Sequence, residues 1–262
     1  MGYETIRVET DVRGIATVTL ARPDKHNAMN ARMIAELTKA AVELGGDAAI
    51  RAIILGGKGK TFCAGGDLGW MREQAEKDRA GKMAEARALA GMLGAWNALS
   101  KPVIARVQGA AYGGGLGLMA VSDIVVAAGN AKFALTETRL GLIPATIGPF
   151  VVSRLGPAFA RQVFFSSKPF GPDFGLRCGL VARVAPDEEL DAAVEEEVAA
   201  FLSCAPGAVA DAKALARNLA GPDPAEQAEM TANALADRWE TGEAQAGIAA
   251  FFAKETPPWR KG

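Results

Sequence analysis

The chain has 262 residues, half of them hydrophobic, with 29 basic and 30 acidic side chains and a formal charge of −1. That length can bury a substantial core, as one large domain or as a core with an appendage. The balanced charge supplies no basic face for nucleic acid, no apolar run reaches membrane-spanning length, and the three scattered cysteines, Cys63, Cys178 and Cys204, read as reduced thiols and not as a disulfide frame or metal site.

The chain opens on MGYETIRVET, which lacks the basic and apolar regions of a signal peptide, so the expected location is cytoplasmic. Residues 4–20 hold two short apolar stretches around 11–14. Ala16, Val18 and Leu20 alternate with Thr17 and Thr19, which predicts a half-buried strand of a hairpin. In ARPDKHNAMN, Pro23 and Asp24 predict a turn, and Asn27 or Asn30 a helix cap. Met33, Leu37, Ala41 and Leu44 share one face of that helix, and Gly45-Gly46 ends it. Residues 53–55 read as a short buried strand. The glycine-rich loop GGKGKTFCAGGDLGWM follows, a place where backbone N–H groups can meet a ligand. It is not a phosphate-binding P-loop, because Gly59-Lys60-Thr61 lacks the preceding glycine that the pattern requires, and no dinucleotide fingerprint fits either. Residues 71–100 read as one amphipathic helix with Met83, Leu89, Leu93 and Leu99 on one face, stopped by Lys101-Pro102. With Val103–Val107 as the next strand, the alternation of strands and helices predicts α/β layering with mainly parallel strands.

In the central stretch, 106–148, an apolar strand enters three glycines, Gly113, Gly114 and Gly115; an apolar helix follows, then a strand, Ile124–Ala128. Without Cβ atoms this backbone can turn sharply, and a helix starting there offers unpaired N–H donors and a dipole that favours negative charge. Such a place suits an anion, or an oxygen that becomes anionic during reaction. Glu137, in mostly apolar surroundings, is a candidate acid or base of raised pKa. Arg139 is equally suited to tune it or to form a surface pair, and Asp67 equally suited to cap a helix or touch a ligand. His26, the single histidine, has no evident nucleophile for a Ser/His/Asp site. Further on, helices are expected at 149–155, 158–165 and 172–178, and a last strand at 180–184. Ala-rich helices follow at 187–203, 206–219, 224–239 and 243–253, then a loose tail at 257–259.

The segments FCAGGDLGWM (62–71), GAAYGGGLGL (109–118) and TETRLGLIPA (136–145), with RPDKHNAMN and GPDFGLRCGLVARV, together resemble the enoyl-CoA hydratase/isomerase (crotonase) family over nearly the whole chain. The resemblance implies an α/β fold. A superhelical spiral of ββα units over 1–195 would carry the acyl-CoA site, and a C-terminal helical region, 196–262, would serve assembly and active-site closure. It implies a homotrimer or homohexamer, an acyl-CoA thioester as substrate with coenzyme A as part of it, no separate cofactor, no metal, and no nucleic-acid or membrane partner. By motif position the N–H groups of Gly66 and Gly114 would hold the thioester oxygen, with Gly113 also against the substrate. Cys63, Ala64, Asp67 and Leu68 would meet the adenine–pantetheine part, Lys25 and Ala28 the CoA nucleotide, and Trp70 and Met71 the acyl end. Residues 146–149 would set acyl preference.

Glu137 matches the second of the two glutamates that hydratases of this family commonly use, whereas the first falls at Gly117. Three readings follow from that departure. Another group, such as Glu73 or a substrate carboxylate, helps water addition; Glu137 alone shuttles a proton, as in a Δ3,Δ2-enoyl-CoA isomerase; or the chain is a non-catalytic acyl-CoA-binding scaffold. DLGWM and GLIPATIGPFVV are similar to the methylglutaconyl-CoA and isohexenylglutaconyl-CoA hydratase-like branch. The leading expectation is therefore an enoyl-CoA hydratase acting on a branched 2-enoyl-CoA.

Overall fold

A computed structural model describes residues 2–219 and 228–256. The expected hairpin is present: β1 (Ile6–Thr10) pairs antiparallel with β2 (Ile15–Leu20), Val8 opposite Val18. Helix α1 (Ala31–Gly46) follows, capped by the Asn30 side chain, which accepts from the Met33 N–H. Asn27 does different work. It is wholly buried in a left-handed conformation (φ 54°), and its amide donates to the Lys58 and Thr61 carbonyls at 2.9 and 2.7 Å. It thereby clamps the segment before α1 to the loop that leaves β3 (Ala52–Gly57), the strand parallel to β2.

The single helix expected over 71–100 is two, α2 (Leu68–Glu76) and α3 (Arg79–Ala98). Asp78 makes the break, because its side chain accepts from the Gly81 N–H and caps a new helix. Helix α3 buries Ala86, Ala90, Leu93 and Trp96, while Met83 and Leu89 are only partly covered. Small residues let it lie close to α1, and Trp96 fastens the two by donating to the Leu37 carbonyl at 3.1 Å.

Strand β4 (Val103–Val107) joins the parallel sheet, but the chain does not run straight on into the glycines. It turns at Gly109 (φ 66°) into β5 (Ala110–Tyr112), which belongs to a separate two-stranded sheet with β7 (Lys132–Ala134). Helix α4 (Gly114–Ala120) and strand β6 (Ile124–Ala128) lie between them in sequence. The main sheet has the order β1-β2-β3-β4-β6-β8, with β8 at Arg183–Ala185, shorter than expected. The two expected helices after Gly148 are the two arms of α5 (Gly148–Ser166), parted at Gly156, whose backbone leaves the helical region (φ 71°, ψ 161°), and α6 (Pro172–Arg177) follows.

Both faces of the parallel strands are covered, as such sheets require. Ile53, Leu55, Val103, Ala105 and Val107 pack with α1 and α3. The alternate positions Ile104, Val126 and Ala128 pack with Leu190, Val194 and Val198 of α7 (Leu190–Leu202). The domain boundary expected at 195/196 therefore runs through a helix that completes the core. Helix α8 (Pro206–Leu219) is tied back by Lys213, whose Nζ donates to Asp123 Oδ2 at 2.6 Å and to the Lys101 carbonyl at 3.0 Å.

Helices α9 (Ala228–Trp239) and α10 (Gly242–Ala253) fold back over the same chain; positions 224–227 and the tail at 257–259 lie outside the described residues. Helix α9 runs along α3, and α10 packs on the turn that carries Glu137. Gly141, which ends that turn at φ 73°, lies so close to α10 that a Cβ there would stand 2.8 Å from the Glu243 carbonyl oxygen. Leu142, Trp239, Ala244 and Ile248 form the small core of this junction. Among the described residues no single helix is long and apolar enough to cross a membrane.

Candidate active site

The site forms where the loop that leaves the carboxyl end of β3 meets the glycine turn that follows β5 of the small sheet. The loop after β3 is laced to its surroundings by backbone bonds. Cys63 bridges Ala111, with the Tyr112 N–H donating to the Cys63 carbonyl at 2.9 Å. Gly66 bridges Met29, whose N–H donates to the Gly65 carbonyl at 2.7 Å and whose carbonyl accepts from the Asp67 N–H at 2.8 Å. Gly65 takes φ 92° against the Tyr112 carbonyl, where a Cβ would lie at 3.2 Å. In the second loop the Gly113 N–H donates to Ala134, and α4 begins at Gly114. Amid this pairing, the N–H groups of Gly66 and Gly114 have no acceptor among the described residues, and both glycines line one cavity of about 490 Å³.

Glu137 opens a 3-10 turn, Glu137–Leu140, in the wall of the same cavity. A Cβ placed on Gly113 would lie 3.3 Å from its Oε1, so the carboxyl stands against the triple glycine. Its Oε2 is sealed from solvent and has no hydrogen-bond partner. Burial pushes the carboxyl up from 4.5 to about 7, against a smaller downward pull from its own and the Thr136 backbone N–H. A carboxyl of that acidity can take up and release a proton near neutral pH. Arg139 has no part in this shift: its Nη2 donates to the Ser167 carbonyl at 2.7 Å.

Of the residues expected at the site, Ala64, Gly66, Leu68, Trp70, Met71, Gly113, Gly114 and Glu137 line the cavity. Lys25, Ala28, Cys63 and Asp67 are not among its walls. Lys25 is exposed in a 3-10 turn, and Ala28 is buried. Cys63 is wholly buried, and desolvation pushes its thiol up to about 12, so it stays an inert packing group. Asp67 is engaged twice. It caps α2 by accepting from the Gly69 and Trp70 N–H groups at 2.8 and 3.3 Å, and it pairs with Arg22 at 2.9 Å. That cap sets where Trp70 and Met71 stand, and Trp70 Nε1 donates to Glu85, itself paired with Lys77 at 2.5 Å. His26 meets the Thr61 hydroxyl at 3.1 Å. Glu73 is exposed on α2 and does not line the cavity.

Gly117 is buried in α4, and a Cβ there would lie 2.9 Å from Ile147 Cγ2 and 3.3 Å from Leu93 Cδ1. Ile147 therefore fills the room a side chain at 117 would need. Thr146, from the same segment, lines the cavity. Its far wall comes from Leu235, Trp239 and Phe251 of α9 and α10, residues the sequence reading did not assign to the site. Their one signal is that they are among the few large apolar groups, with Ile248 and Phe252, of two Ala-rich helices. Among the described residues no cluster of His, Cys, Asp and Glu could hold a metal ion.

The family model for enoyl-CoA hydratase/isomerase matches residues 10–262. The chain is 36% identical to the enoyl-CoA hydratase ACTT6 of Alternaria alternata, over 82% of this chain and 70% of that one. It is 34% identical to a probable enoyl-CoA hydratase of Rhodobacter capsulatus, over 98% of each. Among solved structures, an enoyl-CoA hydratase from Shewanella pealeana superposes with a TM-score of 0.81 at 35% identity, covering 98% of this chain and 96% of that one.

Proposed function

Because the chain belongs to the enoyl-CoA hydratase/isomerase family, we propose that it adds water across the double bond of a 2-enoyl-CoA thioester, with Glu137 moving the proton and Gly66 and Gly114 holding the thioester oxygen. One observation carries the reading: a buried carboxyl poised near neutrality shares a cavity with two backbone N–H groups that have no acceptor of their own. Attack at the β-carbon moves charge onto the thioester oxygen. Donors fixed in advance at that oxygen stabilise the enolate most, because they need not reorganise during reaction. The Glu137 carboxylate takes a proton from water and returns it to the α-carbon, so one carboxyl serves as base and then as acid.

The acyl group sits in this reading among Leu142, Ile143, Leu235 and Trp239, walls that suit a branched apolar chain. Exposed Lys25 supports placing the CoA nucleotide near the Pro23–Lys25 turn, where a cation meets phosphate. Assembly as a homotrimer or homohexamer belongs to the same proposal, with exposed Val152, Phe165 and Leu176 as apolar contact surface. So does a cytoplasmic location, consistent with three free cysteines.

A second reading, Δ3,Δ2-enoyl-CoA isomerisation, is favoured by the absence of a second carboxyl where Ile147 covers Gly117. Incubating the protein with a panel of 2-enoyl and 3-enoyl thioesters, branched glutaconyl types included, in H2-18O separates the two by mass. Label in the product marks the hydratase. Double-bond migration without label marks the isomerase. Binding of CoA with no conversion across the panel would sink both and favour a scaffold.

A further inference from the structure

Hydration asks more of this cavity than Glu137 can do alone. The attacking water must be held with a lone pair aimed at the β-carbon, and the space beside Gly117 holds the apolar side chains of Ile147 and Leu93. Two buried side chains among the described residues, Glu137 and Thr146, carry a polar atom without a hydrogen-bond partner, whereas Gln74 serves the Glu85 carboxylate, which its side chain helps to hold ionised. Glu137 and Thr146 both line this one cavity. Native proteins pair nearly all their buried polar groups, so unpaired atoms gathered in one cavity mark where a ligand completes them. Gln74 comes from α2, next to the Trp70–Glu85 network. Thr146 is 4% exposed and directly precedes the isoleucine that occupies the gap over Gly117.

Building on the hydratase reading, we propose that Thr146 positions the attacking water, its Oγ1 accepting one O–H of the water while the Glu137 carboxylate accepts the other. The water oxygen then bonds to the β-carbon as its O–H to Glu137 breaks, and the double-bond electrons pass to the thioester oxygen. Glu137 returns the proton to the α-carbon as the enolate collapses. The O–H held by Thr146 stays intact and becomes the product hydroxyl, so Thr146 gains and loses nothing. A neutral hydroxyl suits this place. A second carboxylate would push the pKa of Glu137 higher still by like-charge repulsion and leave less of it ionised.

The test compares wild type, Thr146→Val and Thr146→Ser in two assays. One is 18O incorporation into a 2-enoyl-CoA. The other is exchange of the α-protons of a saturated acyl-CoA in D2O, which needs Glu137 and the two glycine donors but no attacking water. Thr146→Val, which keeps the shape and removes the hydroxyl, is expected to lose roughly tenfold or more in kcat for hydration, with KM and α-proton exchange unchanged. Thr146→Ser is expected to restore hydration. Hydration by Thr146→Val at the wild-type rate overturns the proposal and leaves the hydratase reading standing. Equal loss of hydration and exchange also overturns it, because that marks a structural role. A wild type that exchanges α-protons but incorporates no 18O refutes the hydratase reading itself and this proposal with it.

Discussion

Replacing Glu137 with Gln should abolish turnover and at the same time make the protein more stable, by an amount that depends on pH. In the unfolded chain this carboxyl releases its proton near 4.5, whereas in the fold burial holds it to about 7. Below the unfolded value both states are protonated, and the group contributes no difference. As pH rises from there, the unfolded state gains by ionising while the folded state does not, so stability falls. Above about 7 both states are ionised, and the loss is complete. The shift of about 2.5 units corresponds to ~3 kcal/mol, at 1.36 kcal/mol per unit. The amide of Gln never ionises, so the variant escapes this loss. Urea unfolding of both proteins should therefore show nearly equal stability at about pH 4.5, with the variant ahead by ~3 kcal/mol at about pH 8. An offset that is the same at both pH values would refute the reasoning, as would a variant that is the weaker at about pH 8. The same acidity places the rise of wild-type kcat/KM with pH near 7, since the carboxylate is the form that accepts the water proton.

Gly114→Pro removes one donor N–H at a helix position where proline is tolerated, and the nearest obstacle to its Cβ is the flexible Met29 Sδ at 2.9 Å. A fall in kcat of about 100-fold or more is expected with the fold intact by circular dichroism; full activity would disprove the oxyanion role. Gly117→Glu drives a side chain into Ile147 and should cost about 1–3 kcal/mol in urea unfolding. Adding Ile147→Gly should recover part of that cost, and independent effects of the two changes would contradict the packing account. Asp67→Ala loses a helix cap and the Arg22 pair, and a loss of about 1–2 kcal/mol in thermal unfolding should accompany weaker substrate binding, because α2 carries Trp70 and Met71.

What could be read in the sequence was local. Alternation in β2, the Asn30 cap and the stripe through Met33 and Leu37 each depend on a few neighbouring residues, and the elements lie where those signals point. The break at Asp78 is equally local but was masked by apolar residues that continue the helical stripe on either side. The turn of β5 away from the main sheet depends on the left-handed conformation of Gly109, a backbone state that one glycine permits but does not demand. At the site, the triple glycine and Glu137 could be seen because they lie close together in sequence. The filling of the Gly117 gap by Ile147, and the far wall from Trp239 and Phe251, could not, because both are contacts between distant segments.

The seating of Gly141 against α10 bears on how the protein comes into being. Synthesis runs from the N-terminus, so the sheet strands and both glycine loops emerge before the turn of Glu137 has anything to close against. That turn and the far wall of the cavity wait for Trp239, Ala244 and Phe251. Until those residues arrive, the turn lacks its apolar seat, so a chain still on the ribosome, or one cut off before α10, carries the whole sheet and both glycine loops with the far wall of the cavity missing.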